Sequence, residues 1–427
     1  MKKVFYSVLM FAFASTLCLG FTACSSDDED SETRIESDDT EAIYKDKQYG
    51  TAAMEACENI ISQLNAAMRD IQKSELTDEQ VRELNSILEN NVNNVIVPTY
   101  KNLADAAEKL QKALGSLSVD QITQQNIDDA CAAFKEARAW WEKSEAFLGG
   151  AAQDFEIDPY IDSWPLNRDL LHSYFATGKY SEEALEDCSI LGFHALEFVL
   201  FRNGEARKVE ELRGNDTYKG FTDVKGADEL KYANNVVKEL VLACYNLEVA
   251  WSETPNQQRL NAVKNANKEY LTKKNKSYGW NMKNAGNPNS TFDDIEDAFS
   301  QIINNDEGSA AAIANEVGGG KIGHPFRSGY IFYVESPYSY NSITDFQNNI
   351  RSIENVWYGN IDGANGTSNV SLHQWFAKND SKTGKAIEAA ISDGIAKIGN
   401  MPAPFVKYVT TLWGVSFEDS AVEEIPE

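Results

Sequence analysis

Along most of this chain apolar residues recur every three or four positions, the spacing of one face of an α-helix. Met54, Cys57, Ile60, Ile61, Leu64 and Met68 predict a helix over about residues 43–73. Thr77, three residues before Gln80, has the form of a capping box, and the helix it opens carries Leu84, Ile87, Leu88, Val92 and Val95. Pro98 is expected to bend or restart that helix, after which Tyr100, Leu103, Ala107, Leu110 and Leu114 continue the stripe. A third long helix is predicted over residues 126–147, with Arg138, Trp140, Trp141 and Glu145 on it. Glycines and prolines make residues 149–167 an ordered loop. Further helices are expected over residues 228–251, over 292–317 with a break near Gly308, from near Thr344, and over 383–398. Strands are scarce. The pattern predicts an all-α protein of two packed helical bundles, residues 43–204 and 205–427.

One segment departs from this amphipathic rule. Residues 185–201 are apolar on nearly every side, which predicts a buried helix. That helix nevertheless carries His194 and Glu197, three residues apart and therefore on one face. A carboxylate taken out of water must be paired, protonated or bound to a cation. Gly192 removes a side chain one turn before Leu196, where another backbone or a ligand could approach closely. The plain alternative is a polar pair satisfied within the core. For an isolated His-x-x-Glu that alternative is the simpler one, because so short a pattern arises often by chance.

Charge narrows the partners. The formal net charge of -27 argues against nucleic acid and other polyanions. Lys2 and Lys3, an apolar run over residues 4–21, and Phe21-Thr22-Ala23-Cys24 have the form of a secretion leader ending in a lipobox-like cysteine. Residues 1–23 are then removed, and Cys24 carries lipid that ties the protein to a membrane; an ordinary secretory signal or a short anchor is the alternative. The acidic stretch over residues 24–42 cannot bury a core and is expected to be an unstructured tether. It resembles the acidic export tag of surface lipoproteins, which implies the outer face of the outer membrane, with the periplasmic face as alternative. Cys57, Cys131, Cys188 and Cys244 are widely spaced on apolar faces and read as core thiols, with a bridge in an oxidising compartment as the alternative.

Gly192-x-His194-x-x-Glu197 within LGFHALEFVLF resembles the signature of the imelysin family, bacterial envelope proteins described as insulin-cleaving peptidases and linked to iron uptake. ARAWWEKSEAF, DPYIDSWPLN and the region from HPFRSGYIFYVESPYSYNSITDFQ to VWYG resemble further family elements, so the likeness spans about residues 43–405. It implies two four-helix-type halves with the His-x-x-Glu helix near their junction. It also implies a shared pocket to which Arg138, Glu145, Asp162, Trp164, Glu335, Ser336 and Asp345 contribute. Each has a structural alternative: salt bridges for Arg138 and Glu145, a packed loop for Asp162 and Trp164, helix capping for the residues before Thr344.

His and Glu at this spacing can ligate one divalent metal, iron or zinc, as Glu-x-x-His pairs do in helix-bundle iron proteins. Zinc wants about four ligands and iron about six, counting waters, so others are needed. Glu145, Asp162, Glu335, Asp345, His172, His324 and His373 are the candidates. No His-Glu-x-x-His and no nucleophile elbow is present, so these residues do not strengthen the peptidase reading. Three functions follow: a lipoprotein that binds a metal, iron first, or a metal-bearing ligand and is implicated in iron uptake, which is preferred; a metal-dependent peptidase of imelysin type; and a surface scaffold.

Overall fold

The Thr77 hydroxyl accepts the backbone N–H of Gln80, and Gln80 accepts that of Thr77, so the second long helix starts at the expected capping box. The structure, a computed structural model, describes residues 35–73, 76–115, 117–179 and 188–417. Two compact units are distinguished, residues 1–40 and 41–427. Cys24, the leader and the start of the acidic tether lie outside the described residues.

The helices that position the site are α1 (Gln48–Ile71), α2 (Asp78–Asn91), α3 (Val97–Gly115), α4 (Gln124–Glu142), α5 (Gly192–Leu200), α6 (Gly226–Trp251), α7 (Ser342–Tyr358) and α8 (Ser381–Gly399). Helix makes up 69% of the described residues, which hold only two short strands, so the fold is all-α. Helix α3 packs on α4 and α6, and α5 packs on α6; separately, α8 packs on α1 and α7. These pairings cross the boundary drawn at residue 204, because N-terminal α1 lies with C-terminal α7 and α8 while α6 lies with α3 and α5. Contact between α4 and α7 joins the two groups. Cys57, Cys131, Cys188 and Cys244 are buried thiols.

Pro98 restarts a helix. A π-helical turn, Val92–Ile96, leads into α3, and the proline, with no N–H to give, sits where the bonding register changes. Elsewhere the structure corrects the expected bounds. The helix expected to reach residue 147 ends at Glu142, followed by a short 3₁₀ turn at Glu145–Phe147. The expected loop contains short helices at Ala151–Asp154 and Asp158–Asp162. The buried helix is shorter than its apolar run: α5 begins only at Gly192, and Phe201–Arg202 leaves it to form a hairpin with Glu205–Ala206. Asn203 and Gly204 both have positive φ (51° and 83°), as a tight two-residue hairpin turn requires. The helix expected to end at residue 317 instead continues through Gly318, Gly319 and Gly320 as a second π-helical turn, Glu316–Ile322. The acidic tether, expected to be unstructured to residue 42, turns helical over Ile35–Lys45, where Glu41 pairs with Lys45 one turn on at 2.6 Å.

Candidate metal centre

Helix α5 starts at a place where only glycine fits. Gly192 has φ +72°, and a Cβ there would lie 2.2 Å from the Ile161 carbonyl oxygen. Its absence lets α5 begin directly against the short helix Asp158–Asp162. His194 is thereby set beside Asp162, with Nε2 at 3.1 Å from Oδ1 but out of line for a hydrogen bond. One turn on, Glu197 Oε2 faces the other ring nitrogen, 3.8 Å from Nδ1. The imidazole thus stands between two acids.

Glu197 is held by its other oxygen. Oε1 accepts the backbone N–H groups of Tyr338 (3.1 Å) and Ser339 (2.7 Å) and the Ser339 hydroxyl (2.6 Å). The hairpin after α5 braces that same segment, since Gly204 N–H donates to Tyr338 O at 2.9 Å. Glu197 Oε2 is buried and accepts no hydrogen bond.

Arg138 on α4 reaches into the junction, its side chain 1% exposed. It pairs with Asp162, with Glu142 (2.5 Å), with Glu335 (2.6 Å) and, through Nε, with Asp345 (3.7 Å). Trp141 Nε1 donates to Asp162 Oδ2 at 2.7 Å. Ser336 Oγ and Asn341 Nδ2 donate to Asp345, each at 2.5 Å. Lys321, from the π-helical turn, lies 3.3 Å from Glu335 and 3.7 Å from Glu145.

The electrostatics follow from burial opposed by these pairs. Burial works against the Asp162 charge, but Arg138 and His194 hold that carboxyl well below its ordinary value. Burial pulls His194 down, and Asp162 more than reverses it, raising the imidazole to about 9. Glu142 and Glu145 are pushed well up by burial despite Arg138 and Lys321, and Asp345 is pushed up to about 6 for the same reason. Acids outnumber cations here, and the sealed interior resists their charge.

Gly192, Arg138, Glu145, Asp162, Glu335, Ser336 and Asp345 come together around His194 and Glu197. Trp164 joins from the loop side: with Pro165, His194, Glu197, Tyr338 and Phe417 it lines a narrow cavity of about 20 Å³, room for one water-sized body. The polar residues before α7 do not cap it. Its N-cap, Asn341, makes no side-chain cap bond, and Ser336, Ser339 and Ser342 turn instead to Asp345, Glu197 and the Glu335 carbonyl. Arg138 and Glu145 both enter the junction but are not partners, since Glu145 faces Lys321. The other histidines stand apart: His172 pairs with Asp223, His373 with Glu388, and His324 lies against the Tyr333 ring. Sequence reading missed Glu142, Trp141 and Lys321. Glu142 was legible as the residue four after Arg138, on the same helical face. Lys321 left no signal, because it follows three glycines beyond the expected helix end at residue 317, where no periodicity places it on a face.

The sequence matches the Imelysin (Peptidase_M75) family over residues 96–414. Iron-regulated protein A of Synechococcus elongatus is 25% identical over 275 residues, and the match spans 64% of this chain and 64% of that protein. The crystal structure described as an iron-regulated protein A precursor from Parabacteroides distasonis shares the fold, with a TM-score of 0.59 at 23% identity over 80% of this chain and 97% of that one. The family match covers most of the chain, including every residue drawn together around His194 and Glu197 except Phe417, and the protein belongs to the imelysin family.

Proposed function

We propose that this protein binds a metal ion, iron in the first instance and zinc in the second, or a small metal-bearing ligand, at His194 and Glu197. The observation that carries the reading is the arrangement on the Glu197 side of the imidazole. There Nδ1 and the unbonded Glu197 Oε2 face each other across 3.8 Å beside a cavity with room for one small body. Metal bonds of about 2.1 Å hold neighbouring donors about 3–4 Å apart, so the gap suits an ion. On the far side, Asp162 is fixed by Arg138 and Trp141 with Oδ1 3.1 Å from Nε2, so a small rotation of the ring as Nδ1 takes a metal would bring the Nε2–H into line with the carboxylate that then orients it. Donor atoms of Asp162, His194 and Glu335 also lie within 4.8 Å of one another. That second grouping is already neutralised by Arg138 and Lys321, which would repel an ion, so the Glu197 side is the better seat. An imidazole and a carboxylate suit iron and zinc alike. Two protein ligands leave positions for water or for groups of an incoming ligand.

The relatives named as iron-regulated proteins favour iron, and the lipobox-like Cys24 with its acidic sequel favours an envelope lipoprotein on the outer membrane, outer face first. A metal bound here would also supply the Lewis acid that an imelysin-type peptidase needs, which is the second reading. Elemental analysis of protein purified without chelator, with His194→Ala beside it, tests the first. About one metal per chain, lost in the variant, is expected; a metal-free wild type would overturn the reading. Insulin or casein digestion abolished by His194→Ala would move the assignment to the peptidase.

A further inference from the structure

Lys321 keeps its ammonium inside the protein, with its side chain 2% exposed, and four carboxylates face it. Glu335 lies at 3.3 Å, Glu316 at 3.5 Å, Glu145 at 3.7 Å and Glu142 at 3.9 Å. A shell of oxygens with little else is what hard divalent cations select. Oxygens of Glu142, Glu145 and Asp162 lie within 4.8 Å of one another, close enough to converge on one ion. In the same junction Glu335 Oε2 is buried and accepts no hydrogen bond. The π-helical turn Glu316–Ile322 adds a residue to the helix and brings Gly318 against α1, where a Cβ would lie 2.7 Å from that of Cys57.

An ammonium is a fixed single charge with no lone pair to offer. It neutralises part of the acidic cluster without exchanging with solvent ions, and it repels any ion that approaches Glu142 and Glu145. We propose that Lys321 is a tethered cation filling a second acidic site, and that it limits the chain to one metal ion, the one at His194. The inference rests on the metal-binding reading only for that first ion; the second site is tested separately.

The test compares wild type, Lys321→Gln and the double variant Lys321→Gln/Glu145→Gln, each equilibrated with Mn²⁺, dialysed and measured for manganese per chain, with circular dichroism on the same samples. About one ion is expected for wild type, about two for Lys321→Gln and about one for the double variant. Lys321→Gln that folds only when Mn²⁺ is present also supports the proposal, since the ion then replaces the ammonium. A folded Lys321→Gln with the wild-type ratio overturns it. So does a Lys321→Gln protein that stays unfolded with and without Mn²⁺, since no ion then substitutes for the lysine. A wild type with no ion and a Lys321→Gln with about one would leave this inference standing while removing the His194 reading.

Discussion

Arg138 on α4 and Glu335, seven residues ahead of α7, form an ion pair at 2.6 Å with both side chains 1% exposed. The pair ties the helix group of α3, α4, α5 and α6 to the group of α1, α7 and α8. One guanidinium faces four carboxylates, so its loss cannot be repaired by a neighbour. Arg138→Met is expected to cost about 3–5 kcal/mol, the usual penalty for removing one partner of a buried ion pair. Urea denaturation measures it. Arg138→Lys keeps the charge but loses the fork that serves Asp162, Glu142 and Glu335 together, and it should recover only part. Equal stability in all three proteins would mean that the network carries no structural weight.

The glycine of the motif works through backbone. Gly192→Ala puts a methyl group against the Ile161 carbonyl and asks a residue with a Cβ to hold φ +72°. Left-handed backbone alone costs about 1–2 kcal/mol, and the clash adds to it. Denaturant titration should show a loss of more than about 2 kcal/mol. Metal retention should fall with it, because the start of α5 must back away from Asp162 and take His194 along. A variant as stable as wild type, with its metal, would show that α5 tolerates displacement.

How much of this was readable beforehand depended on whether a feature was local. The capping box at Thr77, the helical stripes and the pairing of an imidazole with an acid inside an apolar run are all encoded within a few residues. The end of α4 at Glu142 was not, since Lys143 to Phe147 keep helix-compatible residues and only packing stops the helix. The roles of Ser336 and Ser339 were inverted for the same reason. Serines before a helix usually cap it, but here buried carboxylates compete for them, Asp345 within α7 for Ser336 and Glu197 on α5 for Ser339, and a charged acceptor is the stronger partner. Lys321 depended on a π-helical turn, whose register no periodicity announces. Which helices pack together was also hidden: α1 finds its partners some 300 residues away, at α8.

A second buried cluster gives a pH signature separate from the metal centre. Glu229 on α6 pairs with Arg207 at 2.7 Å, and Arg207 also reaches Asp216. Burial pushes the Glu229 carboxyl up to about 7, despite Arg207. Its ordinary value is 4.5, so between these two the unfolded chain gives up the proton and the folded chain keeps it. The stability it contributes is therefore complete below about 4.5 and lost as pH rises through about 7. Burial opposes the Asp216 charge, but Arg202 and Arg207 hold that carboxyl below its ordinary 3.8, so its contribution fades only under more acid conditions. Glu229→Gln cannot ionise. Its stability relative to wild type should rise by about 3 kcal/mol between pH 4.5 and pH 8, measured by urea denaturation in chelator. Parallel pH profiles for the two proteins would contradict this.

Removing the metal should destabilise the fold in a way that Glu197 controls. An ion bound only by the native state adds stability that grows with its concentration, about 2.7 kcal/mol at a hundred times its Kd. A chelator should therefore lower the melting temperature, and added iron should restore it. Glu197→Gln keeps a carbonyl oxygen to accept the bonds from Tyr338 and Ser339, so its metal-free stability should stay within about 1 kcal/mol of wild type. The same change puts an amide where the unbonded Oε2 faces His194, and it cancels the charge that an ion would need. Ser339→Ala makes the opposite cut, losing one of the three bonds to Oε1 while leaving the carboxylate in place. Calorimetry with and without chelator separates the two: Ser339→Ala should keep the metal-dependent shift on a slightly lower baseline, and Glu197→Gln should lose the shift on a nearly unchanged one. If Glu197→Gln still melts higher with iron by the wild-type margin, the ion sits elsewhere, and the acids around Arg138 become the place to look.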